Sequence, residues 1–328
     1  ERRVQRAHDA NAQRLRRARP GRGEDPSSGA AEHAPGRSID AGVGARKDAP
    51  RRSFARTLAA VTTDGHSEHA GRTAPRVVSP TAQAAFEAEA RRLGLDPASR
   101  WVGGYVEHQW NHLRPIVESY GLALAGAPTL EFGANVGASA IVLAHLGAAV
   151  RGVDVDRGLV ALARANARRF GFDDLVFEHV ADTRRLPFAD ATFAVINCSS
   201  TLEYVEPGHL AAVQRELVRV LAPGGTLLVT GTSSRLWPRE VHSRAWFVNY
   251  LPRALAPALP RGVWPWTVRR GFGSALVNLD ALDGGRAFLA ARAQRVPRRD
   301  GPALRVLVGL ARALGVGPGM LAPNLSCV

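Results

Sequence analysis

Acidic and amide side chains recur where short apolar runs of the sequence end. Glu131 lies in PTLEFG, Asp154 in AVRGVDV, Asp182 ends LVFEHVAD, and Asn197 lies in FAVINCSS. Each run is short and mostly apolar and is bounded by turn residues or a helical pattern, which predicts a β-strand. Ligands of an open parallel sheet bind beyond the carboxyl ends of its strands. We therefore expect these side chains to gather at one binding site.

The first of these strands leads into EFGANVG, residues 131–137, a glycine-containing loop before a helical pattern. Gly133 permits a sharp turn, and Gly137 allows the next helix to begin close to a ligand. A dinucleotide fingerprint has Gly at the intervening position so that the backbone can approach a pyrophosphate. This chain has Asn135, which tolerates left-handed geometry, while Glu131 would repel a diphosphate and attract a cation. The loop therefore suits a nucleoside without a pyrophosphate better than a nicotinamide dinucleotide.

Three aspartates after the glycine loop have specific interpretations. Asp154 ends the second strand 21 residues after Gly133, where a carboxylate can accept both hydrogen bonds of a ribose diol. Asp156 directly precedes a helical pattern, which predicts an N-cap. Asp182 follows the third strand, and either contact with an adenine amino group or an Asx turn accounts for it equally well.

The periodicity of the chain predicts alternating strands and helices from residue 128 onward. The predicted strands are 128–133, 149–155, 175–182, 193–200 and 225–233, and the predicted helices are 136–146, 157–170 and 207–221. Strands separated by helices form βαβ units. The sequence therefore predicts an α/β fold, a doubly wound and mostly parallel sheet, with N-terminal helices and a C-terminal elaboration.

The flanking regions complete a four-part organisation. Residues 1–76 are predicted to be a disordered leader rich in Arg, Ala and Gly, because they hold few large apolar residues. Residues 77–127 are predicted to form a helical lid, with one helix capped by Thr81 and a second over 105–120. The core then covers 128–234. Residues 235–328 are expected to cover the substrate, with a basic amphipathic helix over 302–316.

The charge of +14 does not by itself indicate nucleic-acid binding. Residues 1–76 hold 16 Lys and Arg against 9 Asp and Glu, so half of the net charge lies in this short leader, and all basic residues except Lys47 are arginines. Nucleic acid is therefore an unlikely partner. No apolar run is long enough for a transmembrane segment, and two cysteines are too few for a disulfide framework. We expect a cytoplasmic protein.

The motifs resemble, in order and spacing, those of class I S-adenosylmethionine-dependent methyltransferases. The matching segments are EFGANVG (131–137), GVDVD (152–156), VADTRRLPFADATFAVINCSSTLEYV (180–205) and RVLAPGGTLLVTGTS (219–233). Within that class they are most similar to small-molecule methyltransferases of the ubiquinone and menaquinone biosynthesis type. The resemblance implies a Rossmann-like fold, S-adenosylmethionine as cofactor and methyltransferase activity.

The resemblance also assigns residues to the cofactor. It implies that Glu131 holds the ammonium group, that Asp154 holds the ribose hydroxyls and that Asp182 holds the adenine amine. The full set implied for the cofactor site is Glu131, Gly133, Asn135, Gly137, Asp154, Val155, Asp182, Thr183, Asn197 and Ser199. The chain departs from the family at Asn135, where Gly is usual, and at Tyr204, where His is common.

The chemistry of such a protein is an in-line displacement, for which alignment and exclusion of water matter most. A base is needed only if the acceptor must lose a proton. His242, which follows the fifth strand, and His108 are the candidate catalytic residues. His112 lies on the same predicted helix face as His108, but no third ligand accompanies the pair and Gln109 excludes an HExxH motif, so no metal is predicted.

The acceptor class follows from what is missing after the fourth strand. No NPPY or DPPY motif is present there, and Cys198 lacks the preceding Pro of a cytosine-C5 nucleophile. These absences disfavour methylation of adenine or glutamine amino groups and of cytosine C5, and the resemblance implies methylation of a small molecule, most simply at oxygen. RNA methylation and a non-catalytic cofactor-binding protein remain the alternatives, and the oligomeric state is not indicated.

Overall fold

The computed structural model describes residues 73–255, 261–296 and 301–328. The predicted disorder of the leader concerns residues that lie almost entirely outside these ranges, so it stays a prediction. The described residues form a sheet covered by helices on both faces.

Six strands form one sheet in the order β3-β2-β1-β4-β5-β6. Five run parallel, and the last pairs antiparallel with β5. Their bounds are β1 Pro128–Phe132, β2 Ala149–Asp154, β3 Val176–His179, β4 Phe193–Ser199, β5 Leu221–Ser233 and β6 Asn324–Cys327. The strand order reverses between β1 and β4, and at such a switch point the two neighbouring connections diverge to leave a crevice. The predicted Rossmann-like, mostly parallel sheet is confirmed.

Ten α-helices lie among the described residues. Two precede the sheet, three connect its strands, and five follow β5. Their bounds are α1 Pro80–Arg92, α2 Tyr105–Ser119, α3 Ala138–His145, α4 Arg157–Arg169, α5 Pro207–Val220, α6 Pro265–Phe272, α7 Leu279–Asp283, α8 Arg286–Arg295, α9 Pro302–Ala313 and α10 Pro318–Leu321. Among the residues described, no helix is long and apolar enough to cross a membrane.

Several predicted boundaries were wrong. Ser79, rather than Thr81, caps the first helix by accepting a hydrogen bond from the Ala82 amide, because Pro80 already occupies the first helical turn. The third strand ends at His179, three residues before Asp182, and the fifth begins at Leu221, four residues earlier than predicted. The strand β6 was not predicted, since four residues, NLSC, give too short a pattern.

The core consists of two apolar layers, one on each face of the sheet. Alternate residues of a strand point to opposite faces, so Leu228 packs with one layer while Leu227 and Val229 pack with the other. Helices α1 to α4 cover the first face, and α5 and α6 cover the second. The sheet is therefore buried on both sides, and its polar strand ends are left to form a site.

Arg169 fixes the N-terminal helices to the core. Its buried guanidinium lies over the Phe86 ring at 3.9 Å and donates hydrogen bonds to Gln83 of α1, to the Gly103 carbonyl and to Asn166. Burial lowers the pKa of Arg169 to about 10, so the group remains charged at neutral pH. The hydrogen bond to Gly103 fixes the turn before α2, and Trp101 and Tyr105 on either side of Gly103 line the cavity at the carboxyl edge of the sheet.

Candidate functional site

A cavity of about 1150 Å³ lies at the carboxyl edge of the sheet. Its walls come from the loops that follow the parallel strands, from α2 and from the segment after β5. Single small-molecule sites have volumes of roughly 300–1,000 Å³, so there is room for two ligands side by side. Of the twelve residues predicted for the cofactor and for catalysis, ten line this cavity, and Gly137 and Asn197 do not.

The glycine loop holds its shape through Asn135 and Asp154. Asn135 has a φ of 51°, the left-handed region that Asn tolerates, and its amide donates to Oδ2 of Asp154 at 2.7 Å. Gly137, with a φ of 78°, faces away from the cavity. A Cβ there would lie 3.0 Å from atoms of Ala163 and Phe177. Gly137 therefore allows the loop to pack on α4 and β3, and its place beside a ligand stays a prediction.

Glu131 is a buried carboxyl at the floor of the cavity. Burial raises its pKa to about 8, although hydrogen bonds from Asn197 and Ser139 act in the opposite direction. The Asn197 amide donates to Oε2 of Glu131 at 2.8 Å from the neighbouring strand. Asn197 itself is fully buried and does not reach the cavity. Its side chain orients Glu131, and its contact with the cofactor stays a prediction.

Tyr105 and Gln109 of α2 face the same region of the cavity. Burial raises the pKa of Tyr105 to about 12, and the charges of Glu131 and Glu203 contribute to the shift. Gln109 is buried, and its Oε1 has no hydrogen-bond partner in the structure. A buried acceptor without a donor is unfavourable. The carboxyl of Glu131 and this orphaned oxygen therefore fit an ammonium group, which can donate to both.

Asp154 lies beside the loop, and Asp182 at the cavity's outer edge. Burial raises the pKa of Asp154, against the hydrogen bonds that its oxygens accept from the amides of Asp156 and Asn135. Asp182 is exposed and pairs with Arg184 at 2.7 Å, and it accepts from the Arg184 amide as in an Asx turn. The side-chain bonds from Arg184 lower the pKa of Asp182 to about 2. Asp156 caps α4, as predicted.

His242 forms a hydrogen-bonded pair with Glu203 at the opposite wall. Nε2 of His242 lies 2.9 Å from Oε1 of Glu203, whose side chain is fully buried. Burial alone would lower the pKa of His242, but the hydrogen bond and charge of Glu203, with the charge of Glu240, raise it. Glu240 also accepts from the His242 amide at 3.0 Å and fixes the backbone of this segment. The imidazole is thus oriented by a carboxylate, as in a general base.

His108 and His112 line the cavity from α2. His108 stacks on Tyr105 and meets Trp101 edge-to-face at 4.9 Å. Burial and the charges of Arg100 and Arg295 lower the pKa of His108. Burial, followed by the charges of Arg295 and His108, holds the pKa of His112 well below its usual value, and Nε2 of His112 is buried without a partner. Both imidazoles are therefore neutral at physiological pH.

Two contributors to the site were missed from the sequence. Glu203 lies in a single 3₁₀ turn after β4, Leu202–Tyr204, and Gln109 is one of many polar residues on α2. The acidic residue two positions before Val205 in TLEYV was the only available signal for Glu203. In the described part of the chain, no group of three or more His, Cys, Asp or Glu side chains could hold a metal ion.

Comparisons with known proteins agree with this geometry. A family model described as a methyltransferase domain matches residues 130–229. A demethylmenaquinone methyltransferase of Parafrankia sp. is 32% identical over 195 residues, which cover 55% of this chain and 72% of that protein. The methyltransferase GfsG of Streptomyces halstedii is 37% identical over 106 residues, which cover 32% of this chain and 37% of that protein. The chain belongs to the S-adenosylmethionine-dependent methyltransferases.

A solved structure of an S-adenosylmethionine-dependent methyltransferase from Methanosarcina mazei aligns with a TM-score of 0.32 and 25% identity, over 34% of this chain and 55% of that one. Four curated relatives, GfsG among them, are matched over only 29% to 58% of their own lengths. The fold and the cofactor follow from membership of the family. Because these matches cover only part of the relatives, the reaction and the acceptor are proposals.

Proposed function

We propose that this protein transfers the methyl group of S-adenosylmethionine to a hydroxyl oxygen of a small-molecule acceptor. The observation that carries the proposal is the His242–Glu203 pair, which lies on the wall of the cavity that also contains Glu131 and Asp154. A paired histidine next to a cofactor site can remove the proton of an acceptor hydroxyl. A non-catalytic cofactor-binding protein would not need it.

The chain's own residues would hold the cofactor at several points. Glu131, with Gln109 beside it, would bind the ammonium group, and Asp154 the ribose hydroxyls. Asp182 and Thr183 lie at the cavity edge where the adenine would be placed, and Val155 and Ser199 contribute to the wall. When bound, S-adenosylmethionine supplies an electrophilic methyl group on a sulfonium sulfur. No metal is needed for this displacement.

His242 would act on the acceptor. Because a carboxylate only accepts hydrogen bonds, Glu203 keeps the proton on Nε2, and Nδ1 is the basic nitrogen of the ring. The acceptor O–H bond breaks with its proton passing to His242, and the oxygen forms the new bond to carbon as the carbon–sulfur bond breaks towards sulfur. Glu203 stabilises the imidazolium that results. His108, which lacks a carboxylate partner among the described residues, is the second candidate base.

Binding and transfer experiments test the proposal separately. Titration with S-adenosylhomocysteine and with NAD should show binding of the first and none of the second, and the opposite result would overturn the cofactor assignment. Methyl-labelled S-adenosylmethionine should then label a small-molecule extract and not total RNA. Labelled RNA would support the alternative of an RNA methyltransferase, and cofactor binding without any labelled product would support a non-catalytic protein.

His242 and His108 can be distinguished by substitution. His242→Gln should lower the labelling rate by about 10²- to 10⁴-fold, the usual contribution of a general base, with S-adenosylhomocysteine affinity retained. His108→Gln should leave most of the rate. If His108→Gln has the larger effect, the base assignment is wrong, although the cofactor assignment stands.

A further inference from the structure

The cavity is acidic on one side and basic on the other. Its carboxylates lie at the strand ends and have partners: Glu131 is bonded by Asn197, Asp154 by backbone amides, and Asp182 by Arg184. The side formed by α2, the turn before it and the end of α8 instead presents Arg100 and Arg295. This separation divides the cavity into a half that suits a cation and a half that suits an anion.

Arg100 and Arg295, which form the basic side, have no acidic partner in the part of the chain that the structure describes. Among the described residues, neither Arg100 nor Arg295 forms a salt bridge with an acid, and the Arg100 guanidinium rests on the Trp101 ring at 4.6 Å. Burial and the neighbouring charge of Arg292 lower the pKa of Arg295 to about 10, so it stays charged at neutral pH. Both charges also reach His108, whose pKa they lower. Positive charges that line a cavity without a counterion attract an anion to it.

His112 supplies a neutral hydrogen-bonding group at the same place. Its ring lies on α2 one turn after His108 and within reach of the Arg295 charge. Nε2 is buried and has no partner in the structure, although it lines the cavity. A buried ring nitrogen costs free energy unless a ligand atom or water pairs with it. Two arginines and one imidazole with an unpaired nitrogen thus line the cavity on the side of α2.

We infer that the methyl acceptor carries an anionic group, a carboxylate or a phosphate, and that Arg100 and Arg295 bind this group with His112 as an additional hydrogen-bond partner. This inference rests on the proposed function, since it concerns the acceptor of the same reaction. Arginine binds carboxylates and phosphates alike through parallel N–H···O bonds, so either group on the acceptor would be held in the same way. His242 lies on another wall, so an acceptor anchored by its anion would present a separate hydroxyl to the base.

The test uses the full chain saturated with S-adenosylhomocysteine, which occupies the cofactor half. Ligand-observed NMR titrations measure binding of benzoate, of inorganic phosphate and of benzamide, the uncharged counterpart of benzoate. We expect benzoate or phosphate to bind at least about tenfold more tightly than benzamide, as charge-assisted bonds to arginine predict. The anion that binds more tightly shows whether the acceptor carries a carboxylate or a phosphate. The double variant R100Q/R295Q should lose this preference, whereas Arg215→Gln, which removes one exposed arginine from α5, should keep it.

Three outcomes would overturn the inference. Benzoate, phosphate and benzamide could bind equally weakly, or the anion could bind R100Q/R295Q as well as the wild type. Alternatively, Arg100→Gln could reduce S-adenosylhomocysteine affinity tenfold or more, which would mean that this arginine holds the cofactor's own carboxylate. Failure of the proposed function looks different, because S-adenosylhomocysteine would then not bind the wild-type protein, or it would bind while methyl-labelled S-adenosylmethionine labels no small molecule. A thermal unfolding scan of each variant confirms that it is folded.

Discussion

Nε2 of His242 lies 2.9 Å from Oε1 of Glu203, and the two residues are 39 positions apart in the chain. The histidine follows β5 and the glutamate follows β4, so the pairing of these neighbouring strands brings the two segments together. The Ser233 amide also donates to Oε1 of Glu203, at 3.3 Å. The pairing of β4 with β5 and the hydrogen bond from Ser233 therefore fix the position of Glu203 relative to His242.

Glu203→Gln should shift the acid limb of the pH profile, which is the pH range in which the rate of methyl transfer rises as His242 loses its proton. Glu203 raises the pKa of His242, and a base works only when neutral, so activity should rise with pH as His242 loses its proton. Without the carboxylate the pKa of His242 falls, so the rise in rate should occur at lower pH than in the wild type. Because the imidazolium is no longer stabilised, the maximal rate should also fall, by about tenfold or more. Rates of methyl transfer across pH 5–9 measure both effects.

A matched control uses a carboxylate that does not contact the ring. Glu107→Gln changes charge at an exposed position of α2 that does not line the cavity, and it should leave the pH dependence of the rate unchanged. If Glu203→Gln lowers the rate without moving the limb, Glu203 only supports the fold. If His242→Gln keeps the same acid limb as the wild type, the limb belongs to another group.

Cofactor affinity should depend on pH through Glu131. Its pKa is raised to about 8 by burial, so near neutrality it is largely protonated in the free protein. Binding an ammonium group favours the carboxylate, so each molecule bound must displace a proton. Affinity for S-adenosylhomocysteine should therefore fall as pH falls, by up to about tenfold per pH unit between pH 7.5 and 6. Calorimetry in two buffers of different ionisation enthalpy detects the released proton directly.

Glu131→Gln is the corresponding control. The amide keeps the shape of the side chain but cannot ionise, so affinity should be lower at pH 7.5 and almost independent of pH. A wild-type affinity that stays constant from pH 6 to 7.5 would contradict the role given to Glu131.

The sequence was informative where function follows from local pattern. Strand ends and the loop with Asn135 and Asp154 could be predicted because their residues are close together in each βαβ unit. The partners of these residues were less accessible, since Asn197 reaches Glu131 only across paired strands and Glu203 reaches His242 only between loops. A side chain that orients another one leaves no periodic signal. Most of the cavity-lining residues at the strand ends were therefore anticipated, whereas of the His242–Glu203 pair only His242 was.

Asn135 tests whether the glycine loop needs its unusual residue. The backbone there is left-handed, and the bond to Asp154 comes from the amide nitrogen, which every residue but proline has. Asn135→Gly should therefore keep S-adenosylhomocysteine affinity within about threefold. Asn135→Val should destabilise the protein by about 1–2 kcal/mol, because a β-branched residue is strained at positive φ. Urea unfolding and calorimetry compare the two variants, and equal stabilities would contradict the left-handed conformation.

The burial of Asp280, which is hydrogen-bonded to Tyr120, should make stability depend on pH. The Tyr120 hydroxyl donates to Oδ1 of Asp280 at 2.5 Å, which joins the end of α2 to α7. Burial raises the pKa of Asp280 from 3.8 to about 6, although the bond from Tyr120 opposes the shift. The folded state thus binds this proton more tightly than the unfolded chain. Its contribution is complete below pH 3.8 and is lost as pH rises through about 6, to a total of about 3 kcal/mol.

Asp280→Asn should remove this dependence, since the amide oxygen still accepts from Tyr120 and no proton is exchanged. Urea unfolding at pH 4, 5, 6 and 7 should show the variant gaining stability relative to the wild type as pH rises. Asp173→Asn, at an exposed position, serves as the control for loss of one negative charge and should follow the wild type. A constant difference between Asp280→Asn and the wild type over this range would show that Asp280 has an ordinary pKa, and that α2 and α7 are joined by a bond insensitive to pH.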